Sequence, residues 1–74
     1  SEDQIRERLR ELARAQLDWT GPLPEGELAE QLDSVQLLTL VVAVEDSFTV
    51  ILEPEDEASL RTVDDLVRLL AKKL

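Results

Sequence analysis

The sequence of 74 residues contains no cysteine, histidine, tyrosine or methionine, and its only aromatic residues are Trp19 and Phe48. Without cysteine the chain forms neither disulfides nor thiolate zinc sites. Without histidine it lacks the usual general base near neutral pH and the commonest metal ligand. We therefore predict that the chain is not an enzyme, with no catalytic residue and no metal site.

Long apolar runs and basic residues are also scarce. No run approaches the roughly 18–20 apolar residues of a membrane span and nothing resembles a signal peptide, so we expect a cytoplasmic protein. Seventeen acidic residues outnumber eight basic ones, which gives a net charge of −9. Such a surface repels nucleic acid and anionic lipid and favours protein partners with basic patches. The length fits one domain, residues 1–74, which we expect to be monomeric.

Apolar residues recur at helical spacing in three stretches, which predict helices over about residues 2–17, 34–47 and 63–73. Pro54 and the acids after it suit the start of a short helix over about 54–59. A loop rich in glycine and proline, about 18–33, joins the first two long helices. The prediction is an all-α fold, a small bundle of three main helices plus one short helix.

The predicted core combines the inner faces of the helices with side chains that pin the loop. A helical turn within residues 27–31 remains open, and residues 49–52 are predicted to form an extended link, since one four-residue strand has no partner in the chain. We expect this link to bury Val50 or Ile51, and Leu52. The other predicted core residues are Ile5, Leu9, Leu12, Ala13, Leu17, Trp19, Leu23, Leu28, Leu32, Leu37, Leu40, Val41, Val44, Phe48, Val63, Leu66, Val67, Leu70 and Leu74.

The helix over 34–47 carries a second, smaller apolar stripe that points away from the core face. Val35, Leu38 and Val42 form it, next to Asp46 and close to Glu45. A helix with such a stripe has something to bind besides its own core. Packing of the stripe beneath the long loop is the alternative.

Ser34 stands at the first turn of the same helix, directly after Asp33. An Asp-Ser pair here is a helix N-cap, and most such pairs have no further role. The free N–H groups and the helix dipole at this position also favour a negatively charged group. The residues alone leave both interpretations open.

The motifs from residue 32 to residue 70, taken in order, resemble those of the acyl and peptidyl carrier proteins. The attachment site of that family is Asp-Ser followed by an aliphatic residue, and its other motifs follow here in the family's order. They are Asp33-Ser34-Val35, Glu45-Asp46-Ser47-Phe48, Ile51-Leu52-Glu53-Pro54-Glu55-Asp56 and Thr62-Val63-Asp64-Asp65-Leu66. The Leu-Asp-Ser form resembles small freestanding carriers, including the D-alanyl type, more than fatty-acid synthase carriers. Gln36 and Thr39 stand where fatty-acid carriers often have acids.

The resemblance implies an acyl-carrier-like fold with 4′-phosphopantetheine, derived from coenzyme A, on the hydroxyl of Ser34. Asp33 would orient the attachment site. The implied partners are a phosphopantetheinyl transferase, which supplies the base and Mg²⁺, a ligase or transferase that loads an acyl or aminoacyl group, and downstream synthase enzymes. The pathway stays open among fatty acid, polyketide and nonribosomal peptide biosynthesis and a D-alanylation-like pathway. The candidate space for a fatty chain lies near Leu37, Val41, Leu60 and Leu66, although the sequence defines no cavity.

The resemblance also implies that the outer stripe docks these partners. Val35, Leu38 and Val42 would form an apolar centre, with Glu45 and Asp46 at its rim. The alternative function, from another class, is an acidic helical adaptor that masks a basic protein surface and carries no prosthetic group.

Overall fold

Five helices make up the computed structural model, which describes all residues from 1 to 74. They are α1 (Glu2–Leu17), α2 (Leu28–Gln31), α3 (Ser34–Phe48), α4 (Pro54–Ser59) and α5 (Val63–Lys73). The structure contains no strands, which confirms the all-α prediction of three main helices and one short helix. The helical turn left open within the long loop is present as α2. None of the helices has the length and apolarity needed to cross a membrane.

Side-chain caps fix where the three long helices begin. Ser1, Asp33 and Thr62 each accept a hydrogen bond from the backbone N–H three residues ahead. The side chain of that residue accepts in return from the cap's own main-chain nitrogen, which in Ser1 is the terminal ammonium group. These reciprocal bonds satisfy N–H groups that have no partner inside the helix. At their C-terminal ends, α1 and α3 stop at residues in the left-handed conformation, Asp18 and Thr49.

One hydrophobic core lies where α1 packs against α3 and α5. Most of the predicted core residues lie in it or pack against it half-buried, and Val44, Val67 and Leu70 are completely buried. Leu74 was wrongly predicted as core: it follows the last residue of α5 and is 63% exposed, because nothing packs over the end of that helix. In the link after α3, Leu52 is buried and Val50 packs against the core, whereas Ile51 is exposed.

The long loop is held against the bundle by the side chains predicted to pin it. Leu28 and Leu32 are buried, and Trp19 and Leu23 pack against the core. The N–H of Leu28 also donates to the carbonyl oxygen of Arg61 at 2.8 Å, so α2 is tied to the start of α5. The apolar residues of the loop therefore pack into or against the core, and the loop leaves the start of α3 uncovered.

Candidate functional site

Ser34 is exposed and is the first residue of α3. Its hydroxyl forms no hydrogen bond with any other group of the chain, and the apolar residues of the preceding segment, Leu28 and Leu32, turn into the core. A serine sealed under the loop would have ruled out any role in covalent attachment. The hydroxyl of Ser34 is instead accessible from solvent.

Asp33 caps the helix that Ser34 begins. Its Oδ1 accepts a hydrogen bond from the N–H of Gln36 at 2.8 Å, and the N–H of Asp33 donates to Oε1 of Gln36 at 3.0 Å. This pair fixes the side chain of Asp33 beside Ser34, while Oδ2 has no partner within the chain. Sequence reasoning missed the part that Gln36 plays, although Asp-x-x-Gln before an apolar run is the pattern of a capping box.

The first turn of α3 offers backbone donors to an anion. The side chain of Asp33 takes only the N–H of Gln36, and no side chain accepts from the N–H groups of Ser34 and Val35. Such N–H groups and the positive end of the helix dipole stabilise a negative charge by about 0.3–1 kcal/mol at an exposed site. A phosphodiester on Ser34 would lie within this favourable field.

The outer stripe of α3 is open to solvent along its length. Val35 is 74% exposed, Leu38 is 63% exposed and Val42 is 54% exposed. These values exclude the alternative in which the loop buries the stripe. Leu38 and Val42 also line a shallow groove between α3 and α1, with Leu12 on its other wall. Exposed aliphatic side chains at helical spacing form a surface suited to contact with another protein.

The two acids predicted at the rim of this stripe have different surroundings. Asp46 is exposed and borders the groove beside Val42. Glu45 is half-buried, and its Oε2 accepts a hydrogen bond from the backbone N–H of Leu52 at 2.9 Å. Glu45 thus has a structural contact that the sequence did not reveal.

A cavity of about 260 Å³ opens beside Ser34 and runs between α3 and the short helices. Its lining is apolar apart from Ser34 and Glu57. Helix α4 forms part of the wall, although none of its residues is buried. Asp56 ties α4 to the end of α5 through Lys73 at 3.0 Å. Besides the four leucine and valine residues named from the sequence, the cavity is lined by Leu28, Ser34, Leu38, Leu40, Val44, Leu52 and Glu57.

The charges of the chain are unevenly distributed. Residues 15–60 hold eleven of the seventeen acidic residues and none of the eight basic ones, so this segment has a charge of −11 and the remainder has +2. It includes the loop, α2, α3 and α4. Most of the basic side chains are already engaged in ion pairs within the protein. These pairs are Arg6–Asp64, Arg10–Glu7, Arg61–Glu27, Arg68–Asp65 and Lys73–Asp56.

Away from the serine, hydrogen bonds lower the pKa of three carboxyl groups, and two of these lie in the first turns of α4 and α5. The backbone N–H groups of Arg61 and Thr62 both donate to Asp65 at 3.1 Å, which lowers the pKa of its carboxyl group. The N–H of Glu53 and then the ammonium group of Lys73 lower the pKa of Asp56 in the same way. No group of three or more acidic side chains is arranged to hold a metal ion. Both shifts belong to helix-start and inter-helix contacts that hold the fold.

The fold, with an exposed Ser34 at the start of α3, places the protein in the class of small all-α, acyl-carrier-like bundles. Residues 4–70 match the family described as the phosphopantetheine attachment site, and the chain belongs to this family of acyl and peptidyl carrier domains. Its prosthetic group is 4′-phosphopantetheine, and such carriers are generally not catalytic.

A stretch of 51 residues is 41% identical to an acyl carrier protein of Syntrophobacter fumaroxidans. It covers 66% of this chain and 63% of that relative, so less than two thirds of the relative is represented. No solved structure is significantly similar to the chain.

Proposed function

We propose that this protein carries 4′-phosphopantetheine on the hydroxyl of Ser34 and presents acyl or aminoacyl groups, bound as thioesters, to biosynthetic enzymes. The observation that carries the proposal is the exposed, unbonded hydroxyl at the start of α3 in a chain of the phosphopantetheine attachment family. Attachment requires access to that oxygen, and the fold supplies it.

The residues around Ser34 fit the group. In the attachment reaction the Oγ of Ser34 forms the new O–P bond, the pyrophosphate bond of coenzyme A breaks, and adenosine 3′,5′-bisphosphate leaves. We assign the base that accepts the hydroxyl proton to the transferase, because the chain has no histidine, the side chain that most often acts as a general base. The first-turn N–H groups of α3 then lie beside the phosphodiester charge.

We assign to Asp33 the orientation of the attachment site. Its Oδ1 is engaged in capping α3, which holds the carboxylate beside Ser34 while Oδ2 stays free. A fixed carboxylate with one free oxygen suits contact with the Mg²⁺ that the transferase brings. The chain's own part in the chemistry is limited to presenting and orienting the hydroxyl.

The exposed stripe is proposed to be the docking face for the transferase, the loading ligase or transferase, and the downstream synthase enzymes. Val35, Leu38 and Val42 provide its apolar centre and Asp46 an acid at its rim. An apolar centre with acids nearby gives fast, salt-sensitive association with basic surfaces. The cavity beside Ser34 is slightly smaller than the roughly 300–1,000 Å³ of typical ligand pockets, which suits a short aliphatic chain.

The test is incubation with coenzyme A and a broad-specificity phosphopantetheinyl transferase, followed by intact-protein mass spectrometry. We expect the mass to rise by one phosphopantetheinyl group, and Ser34→Ala to abolish the gain. Ser59→Ala is the matched control, because Ser59 is another exposed serine at a helix end and should leave the gain unchanged. No gain in the parent chain, or a gain that survives Ser34→Ala, would refute the proposal and favour the acidic adaptor.

A further inference from the structure

Glu57 is the only charged residue that lines the cavity beside Ser34. The rest of the wall, apart from Ser34 itself, consists of leucine and valine side chains, of which Leu28, Leu40 and Val44 are buried. Ser34 and Glu57 are both exposed, so they lie at the opening of the cavity, while its depth is aliphatic. The cavity therefore has a single acid at its opening, beside the serine to which a prosthetic arm would be tethered.

The carboxylate of Glu57 is available to a ligand. It forms no ion pair and accepts no hydrogen bond within the chain. The neighbouring Asp56 is occupied instead, because its Oδ2 accepts from the N–H of Glu53 at 2.9 Å and from the ammonium group of Lys73 at 3.0 Å. Asp56 thereby ties α4 to the end of α5, and the side chain of Glu57 is left for the cavity.

No positive charge of the protein neutralises this opening. None of the residues that line the cavity is basic, and no basic residue occurs between Arg14 and Arg61. A carboxylate placed beside Glu57 would be repelled, whereas an ammonium group would be attracted. An aliphatic group that enters the cavity gains by leaving water. The site thus combines an apolar interior with a negatively charged opening.

We propose that Glu57 makes this cavity selective for short α-aminoacyl groups with an aliphatic side chain. The aliphatic side chain occupies the cavity, and the ammonium group lies at the opening beside Glu57, where water still solvates its charge. An acyl group with a carboxylate at the same carbon is rejected by the same residue. This inference rests on the proposed carrier function and narrows its cargo to one chemical class.

Tethering makes a weak contact sufficient. An exposed pair of an ammonium group and a carboxylate adds little affinity by itself. A group attached through Ser34, however, is held near the opening, so its entry into the cavity is intramolecular and its effective concentration is high. A preference of about threefold, the size expected of one exposed ion pair, then changes how long the thioester is sheltered from water.

The experiment compares three thioesters that share a carbon skeleton and differ in one substituent. A broad-specificity phosphopantetheinyl transferase loads the full chain from 2-aminobutyryl-, 2-methylbutyryl- and ethylmalonyl-coenzyme A, which carry an ammonium, a methyl and a carboxylate group at the same carbon. Intact-protein mass spectrometry follows the hydrolysis of each thioester. The half-life is divided by that of the same thioester on coenzyme A, and this protection ratio removes differences in intrinsic reactivity.

We expect the protection ratio to be about threefold higher for 2-aminobutyryl than for 2-methylbutyryl, and close to one for ethylmalonyl. Raising the salt concentration should reduce the advantage of the 2-aminobutyryl group, since the contact is exposed.

Variants of two neighbouring acids separate the local contact from the overall charge. Glu57→Gln should lower the ratio for 2-aminobutyryl to that for 2-methylbutyryl, whose own ratio should not change. Glu57→Lys should reverse the order of the ammonium and carboxylate thioesters. Glu55→Gln is the matched control, because it removes an exposed acid of α4 that does not line the cavity and should leave all three ratios unchanged. Thermal unfolding checks that each variant folds.

Equal protection of the 2-aminobutyryl and 2-methylbutyryl groups in the parent chain would overturn the inference and leave the carrier function standing. Equal losses in Glu55→Gln and Glu57→Gln would also overturn it, because the overall charge would then set the preference. Failure of the parent chain to be modified from coenzyme A itself would overturn both the inference and the proposed function.

Discussion

Asp33 caps α3 and is proposed to orient the attachment site, and substituting it tests both roles. As the cap of α3 it satisfies the N–H of Gln36 at 2.8 Å, and as a carboxylate it presents Oδ2 next to Ser34. Asparagine caps helices about as well as aspartate, whereas alanine does not cap them. Asp33→Asn should therefore remove the charge and keep the cap, while Asp33→Ala removes both.

The size of each effect follows from the contacts. Loss of an N-cap costs about 1 kcal/mol, which lowers Tm by roughly 4–8 °C in a domain of this size. We expect Asp33→Ala to show this decrease in thermal unfolding followed by circular dichroism, and Asp33→Asn to stay within about 3 °C of the parent chain. If Oδ2 orients the attachment site, both variants should be modified by the transferase about 10- to 100-fold more slowly, as for other carboxylates that support a metal.

The control is Thr62→Ala, which removes the equivalent cap of α5, where the hydroxyl accepts from the N–H of Asp65 at 3.1 Å. It should lower Tm by a similar amount and leave the rate of modification of Ser34 unchanged. A normal rate in Asp33→Asn would show that Asp33 acts only as a cap. A rate as slow in Thr62→Ala as in Asp33→Ala would show that the loss reflects stability alone.

Three further outcomes follow from the structure. Leu70→Ala, at a completely buried position of α5, should lower the free energy of unfolding by about 2–5 kcal/mol, and a denaturant titration showing less than about 1 kcal/mol would contradict the packing described. Leu38→Asn should slow the transferase about tenfold without lowering Tm, because the side chain is 63% exposed, and a lower Tm with a normal rate would instead make Leu38 a packing residue. The pKa of Asp65 is lower in the folded protein than in the unfolded chain, so its ionised form stabilises the fold. This contribution is complete above the unfolded-state pKa of about 3.9 and is lost as the pH falls through the folded-state pKa. Asp65→Asn should therefore be less stable than the parent chain at pH 7, and the difference should shrink below about pH 4; a difference independent of pH would refute the assignment.

The order of motifs around Ser34 and the spacing of apolar residues were enough to predict the all-α fold and the carrier family. Helical periodicity is a local property, so it separated Leu40 and Val44, which are buried, from Leu38 and Val42, which are exposed. Leu74 was assigned to the core by the same spacing and is exposed, because periodicity does not show where the neighbouring helices end.

Only the tertiary structure decided the contacts between residues that are distant along the chain. The access to Ser34 depends on the loop turning Leu28 and Leu32 inward, and the hydrogen bond between Glu45 and Leu52 joins α3 to the link that follows it. The cavity beside Ser34 likewise exists only where α2, α3 and α4 come together. Sequence by itself determined which residues form the three long helices and which serine begins α3, because both are set by near neighbours. The surface around that serine is set by packing in three dimensions, which no local pattern encodes.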